Sequence, residues 1–378
     1  MEIYVALKII WAVLLGVLLT GLAVMVGMDM GVGTLLRFVG KTDGERRTAL
    51  NIIGPHWDGN QVWFILGGGA IFAAFPTLYA TSFSVFYVVM ILLLFSMIIR
   101  PVAFEYRSKV SANAWRESWD WAFLASGALP MIVYGAAIGN ILEGVGYHYS
   151  WTGQYFQDES FLSYLLNPFA VMCGVMSLSL SIYQGGAMLM LRGEEPIYGR
   201  ARAYAIGGGL VAAVIFAVGG LWVAHMNGFV LTAGDPNMAA NPISGQTVAV
   251  QAGGWMNNYH AYPILWLAPA LGFVGMLLGP AALAMRLPIV GWWLGAVSWI
   301  GTISTVGLSM FPFLMPSTTN LNQSLTVWNS TGSLYNLSWM LGFAAFFVPI
   351  ILSYTSWCYY VMRGKVKVET VVNDPHSY

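Results

Sequence analysis

Charge is what this sequence has least of. Only 8% of its 378 residues are Asp, Glu, Lys or Arg, against about 25% in a soluble domain. A surface facing water on every side cannot be assembled from so few charges, which argues against both the soluble globular and the disordered classes. Basic and acidic residues balance at 16 each, so no cationic excess exists to neutralise a phosphate backbone, and nucleic acid is not an expected partner. Cysteine is nearly missing. Cys173 and Cys358 sit in apolar runs outside any CxxC or zinc-type spacing and read as small core or lipid-facing residues. There is no Walker loop, no HExxH and no GxSxG, hence no self-sufficient active site of those kinds. The first apolar stretch lacks a small-residue cleavage site and reads as a retained span rather than a signal peptide.

What is present is apolar: 58% of residues are hydrophobic and 15% are aromatic, as suits a chain with two long membrane–water boundaries. A spanning helix needs about 20 mostly apolar residues. Nine segments qualify, near 9–37, 58–75, 78–99, 119–142, 161–191, 203–225, 261–285, 289–313 and 337–362, so the expected fold class is an all-α polytopic membrane protein. The uncharged run from Val62 to Ile99 is too long for one span, and Pro76 divides it; its first half is either a full crossing or a tilted or re-entrant helix. Lys and Arg concentrate on the cytoplasmic side of membrane proteins. With nine spans, fifteen of the sixteen basic residues fall on one side and only Lys8 on the other, which predicts an outside N-terminus and a cytoplasmic C-terminus. The outer loops near 143–160, 227–260 and 316–336 carry no Lys or Arg and are expected to pack on the top of the protein. No linker, soluble domain or repeat is visible, so residues 1–378 read as one membrane domain.

Ionisable groups inside a bilayer are costly and therefore candidates for function. Asp29 lies in the first span between Gly27 and Gly31, which share one helix face and permit close helix packing. It reads either as a proton-carrying or ion-pairing acid, or as an interfacial acid paired with Arg37 or a neighbouring subunit. The string from Gly54 to Trp63 crowds His56, Asp58, Asn60 and Gln61 into the start of a span. Asp58 stands where an N-cap would. His56 and Asn60, four apart, could share a face and hold ordered water that passes protons; the plainer alternative is a capped, hydrogen-bonded helix entry. Glu105, flanked by Arg100 and Arg107, is either a proton entry point or the counter-ion of a snorkelling basic belt. Asp120, beside Trp119 and Trp121, reads as the cap of the fourth span. Of the five histidines, His148 is in an outer loop, His376 in the tail, and His225 and His260 at outer span ends. A bis-histidine haem between the last two is conceivable, but both read more simply as interfacial, and no metal site is expected.

The longer strings resemble subunit II of cytochrome bd-type quinol oxidases: Met28-Asp29-Met30-Gly31-Val32-Gly33, Glu45-Arg46-Arg47, Pro55-His56-Trp57-Asp58-Gly59-Asn60-Gln61-Val62-Trp63, Arg100-Pro101, Asn167-Pro168-Phe169, Pro263-Ile264-Leu265-Trp266, Met310-Phe311-Pro312-Phe313 and Val348-Pro349-Ile350. The likeness runs through essentially the whole chain. It implies a haem-free subunit paired with a subunit I that carries haems b and d, oxidises quinol and reduces O2 to water in the bacterial inner membrane. It also implies a part in the cytoplasmic proton pathway through Asp29, Asp58 and Glu105, which His56 and Asn60 join on the reading of the residues above. A structural quinone, small accessory subunits and membrane lipid are further expected contacts. Asp29 and Asp58 occupy the family's acidic positions, and Glu105 stands where an Asp is common. Val26 departs from the family, which usually has an acid there, and Met28 replaces an aromatic. The alternative from the residues alone is a secondary transporter or ion channel using a proton-coupled intramembrane Asp, although no paired half-repeat is visible.

Overall fold

The computed structural model describes residues 2–373, so His376 lies outside the described residues. The chain begins with a 38-residue helix, α1 (Glu2–Val39), about 57 Å long at 1.5 Å per residue and so longer than a hydrocarbon core. It packs against α3 (Trp57–Ala74), α6 (Asn113–Glu143), α8 (Pro168–Arg192) and α12 (Pro288–Met310). That central position buries every residue from 26 to 36. The outer ring is made by α5 (Tyr87–Tyr106), α9 (Ile197–His225), α11 (Leu267–Ala284) and α13 (Leu334–Val361). A short α2 (Asp43–Ile53) follows α1; its Thr42 side chain accepts from the Glu45 N–H while Glu45 reaches back to the cap. α14 (Val368–Asn373) packs on α2.

Among the described residues eight helices are long and apolar enough to cross a membrane. The ninth expected crossing is α3, which bends by 117° into α4 (Pro76–Val85). The start of α3 meets the inner half of α1, whereas Ala74 and Phe75 at its end cluster with Trp11 and Leu15 in the outer half. α3 therefore runs the depth of the bundle, and Pro76 turns α4 beneath the outer loops. The expected span 78–99 is corrected: it divides at Phe86, because α4 packs with Tyr147, Tyr149 and Met315 of those loops before α5 returns inward. The expected span 161–191 likewise divides into α7 (Phe161–Leu166) and α8, since the Asn167 side chain caps Phe169 and Ala170 and Pro168 opens the new helix. Pro130, Pro280 and Pro349 lie inside α6, α11 and α13 without ending them.

The outer loops do pack on top of the bundle, and they add three antiparallel hairpins to the all-α frame. These are β1 (Tyr147–Tyr149) with β2 (Tyr155–Gln157), β3 (Asn227–Gly234) with β4 (Gln246–Ala252), and β5 (Phe313–Met315) with β6 (Leu325–Thr326). A short α10 (Asn257–Ala261) follows β4 in this layer. Lys8, the one basic residue on this side, is fully buried, and its Nζ donates to the carbonyls of Pro236, Met238 and Trp328. Its exception to the charge rule is thus structural: the ammonium clips two outer loops to α1. The predicted close packing at the glycine face holds at Gly31 but not at Gly27. A Cβ on Gly31 would run into the Ser181 carbonyl oxygen of α8, so only glycine permits that crossing. At Gly27 the same atom would meet Trp299 at an ordinary 3.5 Å.

Candidate functional site

Asp29 is 1% exposed, and its Oδ2 accepts from Asn60 Nδ2 at 2.9 Å. His56 opens α3 and its carbonyl accepts the Asn60 backbone N–H at 2.9 Å, which places both side chains on one buried face as expected. Tyr359, from the far end of α13, donates its hydroxyl to Asn60 Oδ1 at 2.9 Å and stacks its ring on His56 with centroids 4.5 Å apart. Arg192, closing α8, donates Nη1 to His56 Nε2 at 3.2 Å. A guanidinium can only donate, so Nε2 accepts and the neutral ring carries its proton on Nδ1. Burial first, and the Arg192 charge second, push the His56 imidazole down to about 3. Arg192 also reaches the carbonyls of Ile52 and Gly364.

Arg100 of α5 is 2% exposed and directs Nη1 at Met30 Sδ; its charge bears on Asp29. Four groups in this region are buried without a hydrogen-bond partner among the described residues: Asp29 Oδ1, His56 Nδ1, and Arg100 Nε and Nη2. Such groups normally find partners, often in ordered water, because leaving one unmade costs about 1–3 kcal/mol.

The other predicted acids go elsewhere. Asp58 is exposed, about 200° around α3 from Asn60 at 100° per residue, and His56 rather than Asp58 holds the cap position. Glu105 is exposed too, while Arg100 and Arg107, seven apart and so on one face, turn inward. The snorkelling belt is therefore overturned. Asp120 is not a cap. It sits inside α6, fully buried, receiving Arg107 Nε at 2.6 Å and Arg46 Nη1 at 2.8 Å. Asp43 joins Arg107 to Arg116, at 2.9 and 2.8 Å. Arg37 lies over Trp121 and near the Glu117 carbonyl, so Asp29 takes no ion pair from it.

Sequence reasoning marked neither Tyr359 nor Arg192 as part of this cluster. Tyr359 lies 299 positions from Asn60 in a Trp-Cys-Tyr-Tyr run that reads as an interfacial aromatic belt, and Arg192 reads as one more inside charge. No local signal could have joined them.

The histidines among the described residues do not make a fit for a haem. His225 and His260 are exposed at the end of the bundle that carries the hairpins, His148 is held by Asp158, and the Nε2 of His56 is taken by Arg192. Among the described residues no three His, Cys, Asp or Glu side chains cluster in a way that could hold a metal. Between the helices lies an apolar cleft of about 2440 Å³, whose walls include Leu22, Phe64, Tyr134, Met176, Phe216 and Trp299.

Three comparisons bear on this arrangement. The family profile of cytochrome bd terminal oxidase subunit II matches residues 7–362. Cytochrome bd-I ubiquinol oxidase subunit 2 of Escherichia coli K12 is 44% identical over 384 residues, covering 99% of each chain. The probable cytochrome oxidase subunit 2 of Haemophilus influenzae is 42% identical over 374 residues, again covering 99% of each. A chain of the bd oxidase from Geobacillus thermodenitrificans matches in fold with a TM-score of 0.70 at 13% identity, covering 94% of this chain and 99% of that one.

Proposed function

This chain belongs to the cytochrome bd terminal oxidase subunit II family, and from that premise we propose that it supplies the oxidase with a buried, cytoplasm-facing proton site centred on Asp29. As a family member it is a multi-pass subunit of a quinol-oxidising oxidoreductase complex and works with a subunit I. Haems b and d would carry electrons from quinol to O2 in that partner, in keeping with the poor fit of this chain's histidines to a haem.

The observation that carries the reading is the half-satisfied Asp29 carboxylate. One oxygen is tied to Asn60, and the other is buried with no hydrogen-bond partner among the described residues, which leaves it available for a proton. From Asp29 a file of polar side chains (Asn60, Tyr359, His56, Arg192) leads to the basic, predicted cytoplasmic face. Water between these groups would conduct protons and satisfy the four orphaned atoms at once. Asp58 and Glu105, on outward faces of α3 and α5, would extend the route along the boundary with subunit I. The apolar cleft gives an isoprenoid quinone tail or a lipid acyl chain room to lie, and accessory subunits would dock on the remaining lipid-facing helices.

The test is Asp29→Asn in the assembled complex. Positioned proton donors are worth on the order of 100-fold or more. Quinol oxidase turnover should fall by about that factor while the b- and d-type absorbance of the co-purified partner persists. Wild-type turnover would overturn the reading.

A further inference from the structure

Asn60 has two faces, and the choice between them decides the chemistry of Asp29. With the amide nitrogen toward Asp29, the carboxylate receives a hydrogen bond. With the amide flipped, a carbonyl oxygen would oppose it. The Tyr359 hydroxyl occupies the other face and donates to Asn60 Oδ1, which leaves Nδ2 for Asp29 Oδ2. An oxygen engaged by an N–H cannot receive its proton along that bond. Oδ1 is buried and has no such donor among the described residues.

We propose that Tyr359 is a positioning residue: by fixing the Asn60 amide it confines proton exchange at Asp29 to Oδ1. The inference rests on the proton-site reading above and assigns its geometry. The ring itself is held from behind. It stacks on His56, and His56 is pinned by Arg192, which is anchored to the carbonyls of Ile52 and Gly364. The chain after α13 adds to the same anchorage, with the Val366 N–H donating to the Arg192 carbonyl and Lys365 Nζ to those of Met190 and Gly193. Tyr359 therefore has little freedom to release Asn60 while this end of the bundle is assembled.

Tyr359→Phe removes one oxygen and keeps the stack on His56. In the purified complex it should lower kcat on the order of tenfold, with the KM for quinol unchanged. In infrared difference spectra the carboxyl band that disappears in Asp29→Asn should shift in Tyr359→Phe, because the amide can then turn. Asn60→Ser, too short to bridge the two partners, should displace the same band and guards against poor assembly of the Phe variant. If Asp29→Asn is impaired but Tyr359→Phe keeps wild-type kcat, or Tyr359→Phe or Asn60→Ser leaves the band in place, the positioning role is overturned and the proton site stands. If Asp29→Asn turns over normally, or Asp29 contributes no band, the proton site falls and this inference with it.

Discussion

Arg107 Nε donates to Asp120 Oδ1 across 2.6 Å with side-chain exposures of 1% and 0%, although the two residues come from different helical segments at the Arg-rich end of the bundle. Arg46 binds the other oxygen of Asp120, and Asp43 carries the pairing on to Arg116. The network ties α2, the end of α5 and the start of α6 together. Removing one partner of a buried pair typically costs about 3–5 kcal/mol, because the remaining charge stays buried. Asp120→Asn should therefore lower the thermal inactivation temperature of the purified complex clearly, whereas Glu2→Gln, on an exposed turn, should not. Equal inactivation temperatures would show that the network is dispensable.

The crossing of α1 and α8 depends on the absence of a single carbon. Gly31→Val places its Cβ against the Ser181 carbonyl and should abolish stable assembly. Gly16→Val, in the same helix with nothing within 4 Å of its added Cβ, should assemble at wild-type yield. Quantifying subunit II in membranes distinguishes the two, and similar yields would refute the close packing.

Arg100 is the buried cation whose charge acts on Asp29. Arg100→Gln removes the charge that offsets the carboxylate and should depress turnover by on the order of 100-fold, while Arg100→Lys, which keeps a charge, should recover part of it. Turnover of Arg100→Gln at the wild-type level would show that the two residues are not coupled.

Glu45 gives a pH prediction outside the spans. Burial alone would raise its carboxyl, but the Lys41 N–H and then the Arg200 guanidinium outweigh burial and hold it below its ordinary 4.5. A depressed carboxyl contributes stability that is complete above the unfolded value and is lost as pH falls through the folded one. Glu45→Gln should thus destabilise the complex by about 1–3 kcal/mol at neutral pH, and the gap should close below pH 4.5. Thermal inactivation measured across that range checks it, and a gap that widens in acid would contradict the assignment.

The basic residues predict the direction of insertion. A C-terminal phosphatase fusion, active only outside the cytoplasm, should be silent, and a C-terminal fluorescent protein should be bright. The reverse pattern would invert the topology.

Much of the molecule was legible in its residues. Spans can be read locally, because twenty apolar residues and a run of inside charges mean the same thing in any tertiary setting. Asp29 stood out for the same reason: a lone acid in a hydrophobic helix needs a reason to be there. The face shared by His56 and Asn60 followed from helical spacing. Where a helix lies against the outer loops, local reading failed, since only contact with Tyr147 and Met315 shows that α4 is not part of a span.

What tertiary structure alone decided is which charges are paired and which polar groups meet. Arg100, Arg107 and Asp120 are sealed inside, while Asp58 and Glu105 face outward, although all five lie near helix ends in sequence. Tyr359 reaches Asn60 across 299 positions. Hydrophobic length is a property of one segment, and the sequence states it directly. A hydrogen bond between segments depends on the rotation and crossing of both helices, which the packing of glycine against backbone settles, and that becomes visible only when the bundle is assembled.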